Sequence, residues 1–200
     1  MSESYWNPDS DPYLYPGSLV LRNIPDIHEQ EALDQFEQRA AALRLDEVIE
    51  AMVGKPLNLA LWQNIHRILF QDVYEWSGET RSVHLAKGKT VFAMPEHIKT
   101  QAGNLFDELD QDDIASLDSK SLIKRLSYYF GELNVLHPFR EGNGRTQKLM
   151  FDEIARRASI AIHWERMEPD ILLDAVINAY EKQDYAPLEA LFERSVEITS

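Results

Sequence analysis

The chain has 200 residues and 44% hydrophobic content, enough for one domain with a core of its own. Twenty basic against 34 acidic residues leave a formal net charge of −14, which excludes non-specific binding to nucleic acid or to an anionic membrane. The lack of cysteine excludes a disulfide framework and a thiolate zinc site, and it agrees with a reducing, cytoplasmic setting.

Residues 1–18 are rich in Pro, Ser, Asp and Tyr and read as an extended arm, ahead of a single domain over 19–200. The first residues lack the basic-then-apolar order of a signal peptide. No stretch approaches the roughly 20 apolar residues that span a bilayer. From Asp26 the pattern is helical, with Ile27, Leu33, Phe36, Ala40, Leu43 and Val48 at helical spacing up to the Gly54-Lys55-Pro56 break. Asn58 is placed to cap the next helix, which turns Leu61, Ile65, Ile68 and Leu69 inward. Trp76-Ser77-Gly78 reads as a turn. The stretch 82–94 breaks the helical habit: Val83 and Leu85 alternate with polar or small neighbours, Lys87-Gly88-Lys89 suits a turn, and Thr90, Val91 and Phe92 are β-formers. A β-hairpin is expected there. Helices follow over 95–110, 118–136, from the glycines to 158, over 169–181 and over 186–196. The fold class is mainly α, a helical bundle with one short hairpin.

One stretch, HPFREGNGRTQK from His137 to Lys148, joins two amphipathic helices through Gly142 and Gly144. A glycine loop feeding a helix N-terminus offers unpaired N–H groups and the positive end of a helix dipole, which suits a phosphate. Arg145 adds a forked cation and Asn143 an amide donor. Glu141 is out of place beside an anion unless a cation lies between them, and Mg²⁺ takes one or two carboxylates plus phosphate oxygens. His137 can accept a proton near neutral pH. Taken together these residues read as a Mg²⁺-nucleotide site with a base for an incoming hydroxyl. Each residue alone has a plainer reading as a cap or surface turn, and Phe139 is structural in both. His66 and His163 are read as structural or exposed, since no histidine pair has metal-ligand spacing. Tyr128, Tyr129 and Phe130 are read as core.

The run from His137 to Arg145 resembles the Fic signature H-x-F-x-[DE]-G-N-G-R at every defined position. DPYLYPG near the start, HRILFQDVYEWSGETR and the hairpin with Phe92 are similar to small stand-alone bacterial Fic toxins, so the resemblance covers about 11–195. It implies a Fic fold with the hairpin as a flap beside the active-site loop and helix at 137–158. It implies a protein adenylyltransferase, with ATP as co-substrate and Mg²⁺ as cofactor, that moves AMP to a hydroxyl of a protein target. Under that resemblance His137 is the base and Glu141 holds Mg²⁺. Gly142, Asn143 and Gly144 cradle phosphate, and Arg145 holds the triphosphate tail. Lys148 stands where the family often has a second arginine, so it keeps the charge and loses the fork. The flap residues Thr90, Val91 and Phe92 hold the target segment as an added strand, with Phe92 clamping the modified residue. Asn178 and Tyr180 are candidates for the adenine pocket, and Tyr5 for self-modification.

The chain lacks the [ST]-x-x-x-E-[GN] stretch by which some Fic proteins inhibit themselves. The resemblance then implies a separate small antitoxin that supplies the inhibitory glutamate. A glutamate from elsewhere in this chain on Arg145 would contradict that expectation. The implied targets are type II topoisomerase subunits, gyrase B and its topoisomerase IV counterpart, met without direct nucleic-acid or membrane binding. Two rivals remain at this level: a Fic kinase or other nucleotide-diester transferase, and a catalytically idle binding module. The intact run from Glu141 to Arg145, with His137, favours AMP transfer over both.

Overall fold

A computed structural model describes residues 10–87 and 90–199. The described part of the expected arm is not simply extended. Tyr15 N–H donates to Val20 O (3.0 Å) and Arg22 N–H to Tyr13 O (2.7 Å), folding the segment back at Gly17, whose φ of +70° lies in the left-handed region open to glycine. Leu14 and Leu21 pair as a bridge and both are buried.

The long helical run divides in two, α1 (Gln30–Leu43) and α2 (Leu45–Met52). Arg44 forms the joint, with its guanidinium on Asp72 (2.7 and 2.9 Å) and Glu47 (3.0 Å). The break turns Val48 and Met52 into the core and leaves Leu43 in solvent, 85% exposed, against the expectation from its helical spacing. Asn58 caps α3 (Leu59–Phe70) as expected, its Oδ1 accepting Leu61 N–H at 2.9 Å. The expected inward face is buried, and Trp62, His66 and Phe70 are buried with it.

The hairpin forms from β1 (Ala86–Lys87) and β2 (Thr90–Val91), paired antiparallel with Ala86 opposite Val91. Gly88 and Lys89 of its turn lie outside the described residues, as does Tyr5. After α4 (Ile98–Gln111), Asp118 caps α5 (Ser119–Leu136) by accepting the N–H groups of Lys120 and Ser121. Then come α6 (Asn143–Arg157), β3 (Ile160–Ile162), α7 (Pro169–Lys182), α8 (Ala186–Ser195) and β4 (Val196–Ile198). The antiparallel β3–β4 pair is unexpected: Val196, read as the end of the last helix, instead pairs with Ile162. Three-residue strands joined by no hairpin turn leave no local sequence signal.

Helix α5 runs through the core, packed by α4, α6, α7 and α8, while α3 packs on α1, α2, α4 and α6. Tyr129 and Phe130 are buried and Tyr128 is half-buried, as read. These two inner helices converge beneath the loop that joins α5 to α6.

Candidate active site

His137 ends α5. Its backbone is left-handed (φ 42°, ψ 60°), a conformation non-glycine residues adopt rarely and usually where surroundings enforce it. Phe92, just past β2, stacks on its ring at 3.8 Å between centroids and 14° between planes. Burial under this ring pulls the imidazole pKa down to about 3, with the Asn134 backbone pulling it up and the charges of Arg81 and Lys87 pushing it down. His137 is therefore neutral at physiological pH and has a lone pair to offer. Its Nδ1 is buried without a hydrogen-bond partner among the described residues.

The loop after His137 is pinned from below. Phe139 is fully buried, stacked on His66 (4.0 Å) and edge-on to Trp62 (5.8 Å). Gly78 N–H donates to His66 Nδ1 (2.8 Å), so the proton sits on Nε2, which donates to Glu141 O (3.0 Å). Burial lowers the His66 pKa to about 3, which keeps that tautomer neutral. Gly142 has φ +77°, and a Cβ there would lie 2.4 Å from the Phe70 ring, so no side chain fits. Arg140, at the open position of the signature, pairs with buried Asp11 at 2.9 Å, tying the N-terminal turn to the loop.

The Asn143 amide, expected to reach phosphate, is committed elsewhere: Oδ1 accepts Phe139 N–H and Nδ2 donates to Phe139 O, both at 2.8 Å. Asn143 holds the loop in shape and leaves any anion to the backbone. That backbone is ready: α6 starts at Gly142 with no side-chain cap, so its first N–H groups point outward. A Cβ on Gly144 would meet open space, whereas the Gly142 N–H, expected to meet phosphate, donates to Glu141 Oε1 at 2.8 Å.

Arg145 lies over the Phe70 ring at 4.7 Å and 3.9 Å from Glu141 Oε1. Glu37 of α1, buried, forms an ion pair with it and also accepts the Tyr74 hydroxyl. The desolvated Tyr74 hydroxyl beside this carboxylate has its pKa pushed well up and stays protonated. The contact that would contradict a separate inhibitor is thus present, made by a glutamate outside any recognised inhibitory stretch. Lys148 extends over Trp164, its Nζ 5.3 Å from the ring.

Two carboxylates, Glu37 and Glu141, outweigh Arg145 at this point, so a triphosphate needs added positive charge to settle here. Among the described residues no group of three His, Cys, Asp or Glu forms a metal cage. A half-exposed Glu141 carboxylate at the cradle fits Mg²⁺, which is commonly held by one or two carboxylates plus phosphate oxygens.

Between flap and α7 a cavity of about 220 Å³ is lined by Lys87, Thr90, Phe92, Val176 and Tyr180, among others. Tyr180, Thr90 and Phe92 are thus brought together, and Asn178 is not. It accepts Lys182 Nζ at 2.6 Å outside the cavity. Glu37, Tyr74, Arg81 and Asp11 around the loop were not singled out from the sequence, whereas His66, read as structural or exposed, is buried and structural. Only His66 offered a signal: a histidine on the buried stripe of α3 needs partners for both nitrogens.

The model of the Fic/DOC family matches residues 56–155. The probable protein adenylyltransferase y4lH of Sinorhizobium fredii is 40% identical over 193 residues, 96% of this chain and 98% of that one. The probable protein adenylyltransferase Fic of Escherichia coli K12 is 33% identical over 161 residues, 80% of each chain. Among solved structures, the BepC effector protein of Bartonella tribocorum, crystallised with AMPPNP, shares the fold with a TM-score of 0.83 at 23% identity, over 94% of this chain and 97% of that one. A left-handed histidine, a glycine cradle at a helix start and near full-length likeness to such relatives lead to one assignment: the chain belongs to the Fic/DOC family.

Proposed function

We propose that this chain transfers AMP from ATP to a hydroxyl side chain of a protein target. The observation that carries the reading is that a neutral, half-buried base and an uncapped glycine cradle are the two ends of one short, pinned loop. The target oxygen bonds to the α-phosphorus, the bond from that phosphorus to the bridging oxygen breaks, and pyrophosphate leaves. The imidazole of His137 takes the hydroxyl proton. The backbone N–H groups of Asn143, Gly144 and Arg145 meet the phosphates, with the Arg145 guanidinium and Lys148 as flanking cations. Glu141 would hold Mg²⁺, which would supply neutralising positive charge to the phosphates. The triphosphate's negative charge raises the proton affinity of His137, which burial alone leaves low. The flap presents the target segment, and the cavity beside Tyr180 takes the adenine.

The relatives' names, protein adenylyltransferase, support the reaction class. The resemblance to stand-alone toxins makes type II topoisomerase subunits the first targets to try, and a net charge of −14 suits a partner that is protein and not nucleic acid. For regulation, the Glu37 carboxylate on Arg145 removes the ground for expecting an antitoxin there. An antitoxin glutamate keeps one docking place in this reading, Lys148.

The test is labelled ATP with Mg²⁺ and bacterial lysate, native against His137→Ala. Label is expected in protein from α-labelled ATP only, and only with His137. Label from γ-labelled ATP alone would make the protein a kinase, and none from either would leave a binding module.

A further inference from the structure

Arg81 is 2% exposed, and among the described residues no carboxylate partners its guanidinium. A buried arginine normally has an acidic partner. This one spends its donors on main-chain carbonyls: Nε on His137 O (2.7 Å), Nη1 on Val83 O (2.7 Å), and Nη2 on Ala93 O (2.6 Å) and Leu136 O (3.2 Å). Its own N–H donates to Pro138 O at 2.8 Å. These acceptors belong to three places. Leu136 and His137 end α5, where carbonyls lack helical partners and the helix dipole is negative. Val83 enters the flap and Ala93 leaves it.

We propose that Arg81 is a positioning residue that locks the base and the flap into one unit. The inference rests on His137 being the base. A left-handed His137 turns its carbonyl to the Arg81 Nε, so the guanidinium holds the backbone conformation that aims the imidazole. The same guanidinium fixes both ends of the flap, and with them Phe92, which stacks on that imidazole. Arg81 makes none of these bonds to the cradle at 142–145, so ATP binding and AMP transfer depend on it differently. A lysine keeps the charge but cannot reach four carbonyls in a plane. The charge also matters to the base. The groups acting on His137 are Arg81 from below, Lys87 from the flap and the Asn134 backbone from α5, and both cations favour the neutral ring.

The test compares native protein, Arg81→Lys and Arg81→Gln, each checked for folding by circular dichroism. Arg81→Lys is expected to bind ATP with Mg²⁺ within about twofold of native while transferring AMP at least tenfold more slowly. Native transfer by a folded Arg81→Lys overturns the proposal, and so does a parallel loss of binding and transfer, which marks a purely structural residue. His137 ring titration by NMR, assigned with His137→Ala, needs no activity. Its midpoint is expected to rise in Arg81→Gln and to stay near native in Arg81→Lys; an unmoved midpoint in Arg81→Gln counts against the proposal. If native protein transfers no AMP, the proposed function fails, and the NMR titration still decides whether Arg81 governs His137.

Discussion

Two glycines separated by one residue have opposite requirements. Gly142 combines a φ of +77° with the Phe70 ring 2.4 Å from any added Cβ, whereas Gly144 faces open space. Gly142→Ala is expected to destabilise the protein by about 2–4 kcal/mol and to abolish ATP binding. Gly144→Ala should melt within about 1 kcal/mol of native, since alanine is the better helix former, yet bind ATP at least fivefold more weakly because its methyl enters the cradle. Equal melting losses, measured by thermal denaturation, would contradict this account of the loop. Glu37 gives a second residue-scale prediction. Its carboxylate competes with phosphate for Arg145, so Glu37→Gln should bind ATP several-fold more tightly while losing about 1–2 kcal/mol of stability through the lost ion pair and the weakened Tyr74 bond. Calorimetric titration with ATP and Mg²⁺ checks it; weaker binding would mean that Glu37 orients Arg145 for the nucleotide.

At the scale of elements, the helices that carry their own start signals were legible from sequence. Asn58 caps α3 as its chemistry dictates, and the alternation around residues 83–92 marks the flap; Asp118, read only as the first residue of a helix, proves to be the cap of α5. The break at Arg44 was not legible, because Asp72, which holds its guanidinium, lies 28 positions away. The β3–β4 pair has the same cause, joining segments that α7 and α8 separate in sequence. The site shows the same division. Contiguous His137, Glu141, Gly142, Gly144 and Arg145 could be read in one stretch, while their supports from α1, α3 and the segment before the flap could not. Asn143 illustrates the limit: its place in the motif was evident, but that its amide holds Phe139 depends on the folded loop. On α6, one turn after Arg145, Lys148 stands over Trp164, and we propose it as a second cation for the phosphates. Lys148→Arg should keep AMP transfer within about threefold of native, because guanidinium stacks on an indole at least as well and restores a fork to phosphate. A folded but inactive variant would remove Lys148 from the phosphate site.

For the whole molecule, two neutral histidines, His66 buried and His137 half-buried, set an acid limit on stability. His66 and His137 both have folded pKa values pulled to about 3, against about 6.5 for a free imidazole. As the pH falls below about 6.5 the unfolded chain takes up two protons that the folded chain refuses. Their contribution is whole above that pH and is lost as the pH falls, at up to roughly 2.7 kcal/mol per pH unit. Urea unfolding should therefore show a clearly lower midpoint at pH 5.5 than at pH 7.5, above the range where carboxylates titrate. An equal or higher midpoint at pH 5.5 would show that these rings are hydrated or charged in the fold. The acid loss is the counterpart of a base kept neutral for chemistry.

We propose above all that His137 drives attack at the α-phosphorus of ATP bound on the cradle that starts α6. Its most direct test is the small product released with Mg²⁺-ATP and a modified protein, for native protein and His137→Ala side by side. Pyrophosphate is expected in one-to-one proportion with AMP-bearing protein, and none from His137→Ala although that variant still binds ATP. Release of ADP with phosphorylated protein, or undiminished pyrophosphate from His137→Ala, would contradict it.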